Sequence, residues 1–474
     1  MTFYFFDLET SGFRAKTDRI VQFGGQRVDM DLSPIGKPDN ILVKMTPDTL
    51  PQPGAVLVHG ITPQQTLEKG ISEADFCKFL TEKVANEDTV LVGFNNIRFD
   101  NDFIRYTLWR NFHDPYEWSW RNGCSTWDLL DVVRMTRALR PEGIKWPFAS
   151  DGRPSNKLEY LSSVNNLEHD VAHDALADVK ASLALARLIK NKQPKLFGYL
   201  QGIRQKSKVT PLITKGEPIV YTSGSYPSEF EKTTVAVMIA EKPDKTAAIM
   251  YDLRIDPDEF RNLTPQELVM RWKDRTESAP YFPVKELKYN RCPAVAPISV
   301  LDDESAKRLQ IHKEIIENHY RKIKGDRKFG ENLLEAQKQL WPGQPQLITD
   351  IHSVDGQMYE KFIDDKDRPK MSAVRAAGAE NIAKFEVDFV DERLKELLPL
   401  YRARNFPDAL NNEQLKQYET FKEMKLLAGG EDSLAANYFR QIKELLKTPG
   451  MGAEKLNILK ELEFYGRAIL PDKS

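Results

Sequence analysis

The sequence predicts an α/β domain, then a smaller β-rich domain, then a C-terminal helical bundle, with expected boundaries at 1–194, 195–344 and 345–474. Three observations carry this. Strand-like and helix-like segments alternate up to Pro194, which favours an α/β fold. The texture then shifts: VAVMIAE and KTAAIMYDLRI flank a Lys-Pro-Asp turn and predict a hairpin. From Pro345 onward the apolar spacing is helical, broken by NFP, AGGE and TPGMG.

In the first domain, strands are predicted at Phe3–Leu8, Ile20–Val28, Ile41–Met45 and Val90–Phe94. Each is short, rich in β-branched or aromatic residues, and bounded by Gly, Pro, Asp or Asn. Helices are predicted at Phe99–Arg110, Trp127–Arg137, Leu158–Val164 and Ala175–Lys190, where apolar residues recur three or four apart. The last has an acidic start and a basic end that suit the helix dipole. The C-terminal helices are expected at Phe389–Leu400, Glu413–Leu427, Ser433–Leu446 and Ala453–Phe464. No fixed-period repeat or low-complexity segment stands out, so a solenoid is not indicated.

At 474 residues and 41% hydrophobic content the chain is long and apolar enough for about three domains with their own cores. The 68 basic and 70 acidic residues leave a net charge of -2, so a nucleic-acid partner requires locally concentrated basic surface. Cys77, Cys124 and Cys292 are too scattered for a disulfide framework or a zinc site, which points to a reducing, cytoplasmic compartment. The apolar opening MTFYFF lacks a basic flank and is too short to span a bilayer, so it reads as a buried strand and no membrane association is expected.

Three short motifs carry the chemistry. Asp7 and Glu9 end the first strand two residues apart, so both face one side and can grip one cation. In Asn95-Asn96-Ile97-Arg98-Phe99-Asp100 a strand gives way to a helix, a junction that aims Asp100 into a cleft or simply caps the helix. In His173-Asp174-Ala175-Leu176-Ala177-Asp178, Asp178 lies on the first turns of an amphipathic helix and His173 just before it. Taken singly, each has an ordinary structural explanation. Together they place four carboxylates at one site, where each close pair repels by about 4 kcal/mol at an effective dielectric near 20. Such a cluster implies bound cations, and hard oxygen ligands select magnesium or manganese over zinc.

The ordered pattern Asp-x-Glu, Asn-x-x-x-Phe-Asp and His-x4-Asp resembles the DEDD exonuclease superfamily, and the last spacing its DEDDh branch. Within that branch, LPQPGAVLVHGITPQ, GFNNIRFDNDF, RNFHDPYEWSW, WDLLDVVR, LRPEGIKWP and YRARNFP resemble bacterial exodeoxyribonuclease I. The resemblance is strongest over the first 200 residues, thinner through the middle domain, and returns around Tyr401–Pro407. It implies a ribonuclease H-like exonuclease domain, an SH3-like middle domain and a helical domain enclosing the strand. The implied activity is 3′→5′ hydrolysis of single-stranded DNA to 5′-mononucleotides, in DNA repair and recombination.

The implied reaction is a two-metal displacement, with magnesium the expected ion and manganese able to substitute. Asp7 is expected to bridge both ions, Glu9 and Asp178 to complete the first, Asp100 to support the second, and His173 to act as base near its ordinary pKa of about 6.5. His169, nine residues before Asp178, does not fit the spacing and is assigned a structural or surface role.

Basic and aromatic residues interleave from Arg105 to Trp120. Tyr116 and Trp120 are candidate stacking platforms, and Arg105 and Arg134 candidate phosphate contacts. The alternative makes Trp118, Trp120 and Trp127 core residues. Thr10 is expected beside the 3′ end, and the resemblance places His59 and Lys157 near the terminal nucleotides. It also implies docking of the acidic C-terminal tail of single-stranded DNA-binding protein at Arg140 and Tyr199. The basic runs Arg204 to Lys215 and Arg321 to Lys328 are read equally as strand path or solvated face. One chain suffices to enclose the cleft, so a monomer is expected.

Two rivals of the same superfamily, a polymerase proofreading subunit and an oligoribonuclease, need far less chain. A silent adapter that only binds single strands is expected to have lost a ligand, and all five positions are intact. No Walker motif is present, which disfavours a motor.

Overall fold

The computed structural model describes residues 1–167, 174–274, 276, 281–340 and 353–471. Contacts divide the chain into two compact units: Met1–Ser125, His169–Lys180 and Ile348–Ser474 form the first, and Thr126–Glu168 with Ala181–Leu347 the second.

The first unit is built on β1 (Thr2–Thr10), β2 (Ile20–Val28), β3 (Asp39–Leu42) and β4 (Thr89–Gly93), in a sheet ordered β3-β2-β1-β4; a further short strand, β5, spans Ser125–Asp128. β1 pairs antiparallel with β2 and parallel with β4. Both central strands are buried along most of their length, the pattern of a sheet covered on both faces. Phe6 stacks on Phe23 with ring centroids 6.1 Å apart and meets Trp118 edge-on, at the centre of a core that includes Leu8, Leu91, Phe103 and Ile104. Because β1 and β4 run parallel, Asp7 and the segment after β4 that leads to Asp100 emerge at the same end of the sheet.

The C-terminal helices bury their apolar faces against this unit as well as against one another. Val354, Met371, Leu394, Leu397 and Tyr401 share a core with Tyr106, Trp109 and Phe112. Tyr438, Ile442, Leu459 and Leu462 pack on Val56, and Leu426, Tyr465 and Ile469 on Val21 and Met45.

The second unit contains an antiparallel sheet of β6 (Ile219–Thr222), β7 (Thr233–Glu241), β8 (Ala247–Asp252), β9 (Val284–Lys288) and β10 (Ala294–Pro297), ordered β10-β6-β7-β8-β9. The expected hairpin is β7 and β8, turning at Lys242 to Asp244. This region is less purely β than expected: amphipathic helices at Pro265–Lys273, Lys313–Ile323 and Arg327–Leu340 accompany the sheet.

Several boundaries move for physical reasons. The helix expected from Trp127 begins at Leu129, because Trp127 belongs to β5 and the Asp128 carboxylate caps the helix by accepting from Leu130 N at 2.9 Å. The helix expected at Phe389–Leu400 spans Glu392–Asn405. Asp391 caps its start, while Phe389 packs on Phe112 in the core beneath it. The third strand ends at Leu42, three residues early, although Val43 and Lys44 keep backbone hydrogen bonds.

Candidate active site

β1 carries Asp7 and Glu9 on one face, and the pairing with β2 shifts register between Glu9 and Thr10, so the strand ends at a bulge beside these carboxylates. The Ala175–Lys192 helix brings Asp178 to them in its first turn. Carboxylate oxygens of Asp7, Glu9 and Asp178 all lie within 4.8 Å of one another, and all three side chains are half-buried.

Asp100 arrives from the parallel neighbour β4. Beyond Gly93 the chain turns through Asn95, in the left-handed region at φ 69°, and a short 3-10 turn at Asn96–Arg98. A Cβ on Gly93 would lie 2.6 Å from Asn96 Cβ, so the turn folds back onto the strand only because that residue is glycine. Asp100 opens the Asp100–Arg110 helix, is 5% exposed, and stands outside the tight triad while acting on it electrostatically.

Burial raises the Asp7 carboxyl well above its ordinary range, and the charges of Asp100, Asp178, Glu9 and Asp174 raise it further. Glu9 is pushed up to about 8 by burial and by Asp178, Asp100 and Asp174. A divalent cation seated among these oxygens relieves both penalties, and an all-carboxylate donor set suits a hard metal. The site therefore fits a divalent metal centre.

His173 and His169 lie outside the described residues. Asp174, to which the sequence pattern assigned no role, also acts on the cluster through its charge. Gln22 contacts Asp174, and the signal of Gln22 in the sequence is weak, since it is one of three polar side chains, with Gln26 and Arg27, in a strand otherwise made of apolar residues and glycines.

The Thr10 hydroxyl donates to Gly12 O at 2.7 Å, so its proton is engaged within the turn that follows β1. His59 ends the Pro53–His59 helix and accepts from Ile61 N through Nδ1 at 3.0 Å. Arg105 pairs with Asp102 at 2.9 Å, and its guanidinium lies 5.5 Å from the Tyr116 ring centroid. Tyr116 in turn meets Tyr359, a ring the sequence reading did not anticipate, at 6.3 Å. The tryptophans divide: Trp118 and Trp127 are core residues, whereas Trp120 is 61% exposed.

In the second unit Arg134 pairs with Asp131 at 2.6 Å, and Lys157 is exposed beside Glu159 and Tyr160. Arg140 pairs with Asp302 at 3.1 Å and donates to Val300 O. Burial pushes the half-buried Tyr199 phenol up to about 12.

Three family signatures match the chain: Exonuclease over residues 4–186, Exonuclease I SH3-like domain over 204–339, and Exonuclease I C-terminal domain over 352–469. The exodeoxyribonuclease I of Haemophilus influenzae is 36% identical over 479 aligned positions that cover 99% of both chains. A zinc-bound form of the Escherichia coli exonuclease I complex with single-stranded DNA superposes with a TM-score of 0.91 at 35% identity, covering 99% of each chain. A crystal structure of SSB/exonuclease I with an inhibitor superposes at 0.88, with 35% identity and 99% of each chain covered.

Proposed function

The chain belongs to the exodeoxyribonuclease I family, and on that footing we propose that it hydrolyses single-stranded DNA from the 3′ end, releasing 5′-mononucleotides in DNA repair and recombination. The carrying observation is the convergence of Asp7, Glu9 and Asp178 oxygens within 4.8 Å. We divide the chain into an exonuclease domain at 1–194, an SH3-like domain at 195–344 and a helical domain at 345–474.

Asp7, Glu9, Asp100 and Asp178 would hold two divalent cations, magnesium in the physiological case with manganese as substitute. When bound, these ions neutralise the carboxylates and polarise the scissile phosphate for in-line displacement. Asp7 would help to hold both, Glu9 and Asp178 would complete the set for one, and Asp100 would support the other. The neutral imidazole of His173 takes the proton of the attacking water. Thr10, His59 and Lys157 orient the terminal nucleotides, Arg105 and Arg134 meet phosphates, and Tyr116 and Trp120 stack on bases. Arg105 also braces Tyr116, because the guanidinium rests over the ring.

Arg140 and Tyr199 receive the acidic tail of single-stranded DNA-binding protein. Among the described residues no helix is long and apolar enough to cross a membrane, and we place the protein in the cytoplasm as a monomer.

The test is digestion of 5′-labelled single-stranded DNA, duplex DNA and RNA with magnesium, with and without chelator, by wild type and Asp7→Ala. Progressive shortening of single-stranded DNA by wild type alone is expected. Preference for RNA supports the oligoribonuclease rival, and binding without shortening supports the adapter.

A further inference from the structure

We propose that Gln22 is a positioning residue that sets where Asp178 stands relative to Asp7 and Glu9. The inference rests on the nuclease reading of that cluster. Gln22 is directly opposite Glu9 in the antiparallel pairing of β2 with β1, so the two side chains share a face of the sheet. It is 3% exposed and fully engaged. Its Nε2 donates to Asp174 Oδ2 at 2.8 Å and to Asn40 Oδ1 at 2.9 Å, and its Oε1 accepts from Ala175 N at 3.1 Å. The amide has only one workable orientation. Flipped, it would set its oxygen against the Asp174 carboxylate and its NH2 against the Ala175 N–H.

Ala175 opens the helix that carries Asp178, and its N–H is one of the donors a helix start leaves without an intrahelical partner. Gln22 supplies that partner from across the sheet, while Asp174 supplies another by accepting from Ala177 N at 3.0 Å. Two residues along β2, a Cβ on Gly24 would lie 2.5 Å from the Ala175 carbonyl carbon and the Leu176 nitrogen. The helix start therefore rests on bare strand backbone at Gly24 and is tied down at Gln22. Asp178 is three residues further, under one turn, so displacement of the start carries it away from β1.

The choice of an amide also has an electrostatic reason. A lysine or arginine at this position would hold Asp174 equally well, but its positive charge would lie beside Glu9 and oppose cation binding. Glutamine satisfies the carboxylate and leaves the negative potential of the cluster intact.

Two variants test the proposal. Gln22→Leu keeps most of the side-chain volume and removes every hydrogen bond, and Asn40→Ala removes only the exposed acceptor that fixes the amide. The measurements are calorimetric titration of the DNA-free protein with Mn2+ alone, kcat and KM on single-stranded DNA, and a thermal melt. For Gln22→Leu, Mn2+ affinity and kcat are expected to fall together by about 10–100-fold, the usual cost of removing a group that orients metal ligands, with KM unchanged. Asn40→Ala moves in the same direction by less. A lowered melting temperature with wild-type Mn2+ affinity and kcat overturns the proposal. If Gln22→Leu does not fold, wild-type Mn2+ affinity in Asn40→Ala overturns it. Wild type that binds Mn2+ but shortens no DNA overturns the nuclease reading, and the Mn2+ titration of the variants still decides the positioning role.

Discussion

Arg404 grips Asp48 through two parallel hydrogen bonds, Nη2 to Oδ2 at 2.7 Å and Nε to Oδ1 at 3.2 Å, across 356 residues of chain. Neither side chain is more than 2% exposed. The pair is the hub of a buried network: Arg404 also bonds Asp355 at 2.7 Å, Arg19 reaches Asp355 at 3.0 Å, and Lys425 and Tyr418 both donate to Asp48. Arg19 N in turn donates to the Ser11 hydroxyl at 2.8 Å, just beyond the end of β1. The C-terminal helices are thus bonded to the strand that bears Asp7 and Glu9.

Removing Asp48 leaves Arg404, Lys425 and Arg19 buried without their shared counter-charge. Asp48→Ala is expected to lower unfolding free energy by about 3–5 kcal/mol, measured by urea denaturation. A loss under about 1 kcal/mol, the range of an exposed pair, would show that water reaches the network.

Acid should undo the same network. Burial alone raises a carboxyl pKa, but Arg404, Lys425 and Arg19 overcome it at Asp48, Arg110 and Arg19 at Glu73, and Arg404 and Arg19 at Asp355, so all three are held below their ordinary range. A depressed folded pKa contributes stability that is present above the unfolded value of about 4 and is lost as pH falls towards the folded value. Urea midpoints should drop as pH goes below about 4, and the drop should be shallower in Asp355→Asn. Equal slopes in the two proteins would remove Asp355 from the acid response.

Asp7→Asn should abolish turnover yet stabilise the metal-free protein, because it removes one charge from a cluster that burial and mutual repulsion already strain. A gain of about 0.5–2 kcal/mol is expected, and the rise in melting temperature that a bound cation should give wild type should be absent from the variant. A destabilised metal-free variant would mean that Asp7 is satisfied without a cation.

Trp118 and Trp120 are two residues apart and should behave oppositely. Trp118, 4% exposed against Phe6, is expected to cost about 3–5 kcal/mol of stability on truncation to alanine. Trp120→Ala should leave the melt unchanged and weaken single-stranded DNA binding by about 1–3 kcal/mol, the worth of one stacked base. Unchanged DNA affinity would take Trp120 out of the strand path.

Local pattern made much of the site legible. The two-residue period of a strand put Asp7 and Glu9 on one face, and helical spacing after Asp174 put Asp178 in a first turn, which is where both are found. Where the reading slipped, a neighbour intervened: Trp127 looked helical by spacing but pairs in β5, and the amphipathic helices of the second unit were hidden beside its stronger β signals.

From the chain alone came the alternation of strands and helices, the five candidate positions at 7, 9, 100, 173 and 178, and the family likeness, since all of these are written in residue types over a few neighbouring positions. Folding in three dimensions decided the rest. Gln22 meets Asp174 across 152 residues and Arg404 meets Asp48 across 356. A hydrogen bond needs its atoms within about 3 Å, and which distant side chains come that close depends on how whole elements pack, which no local spacing encodes.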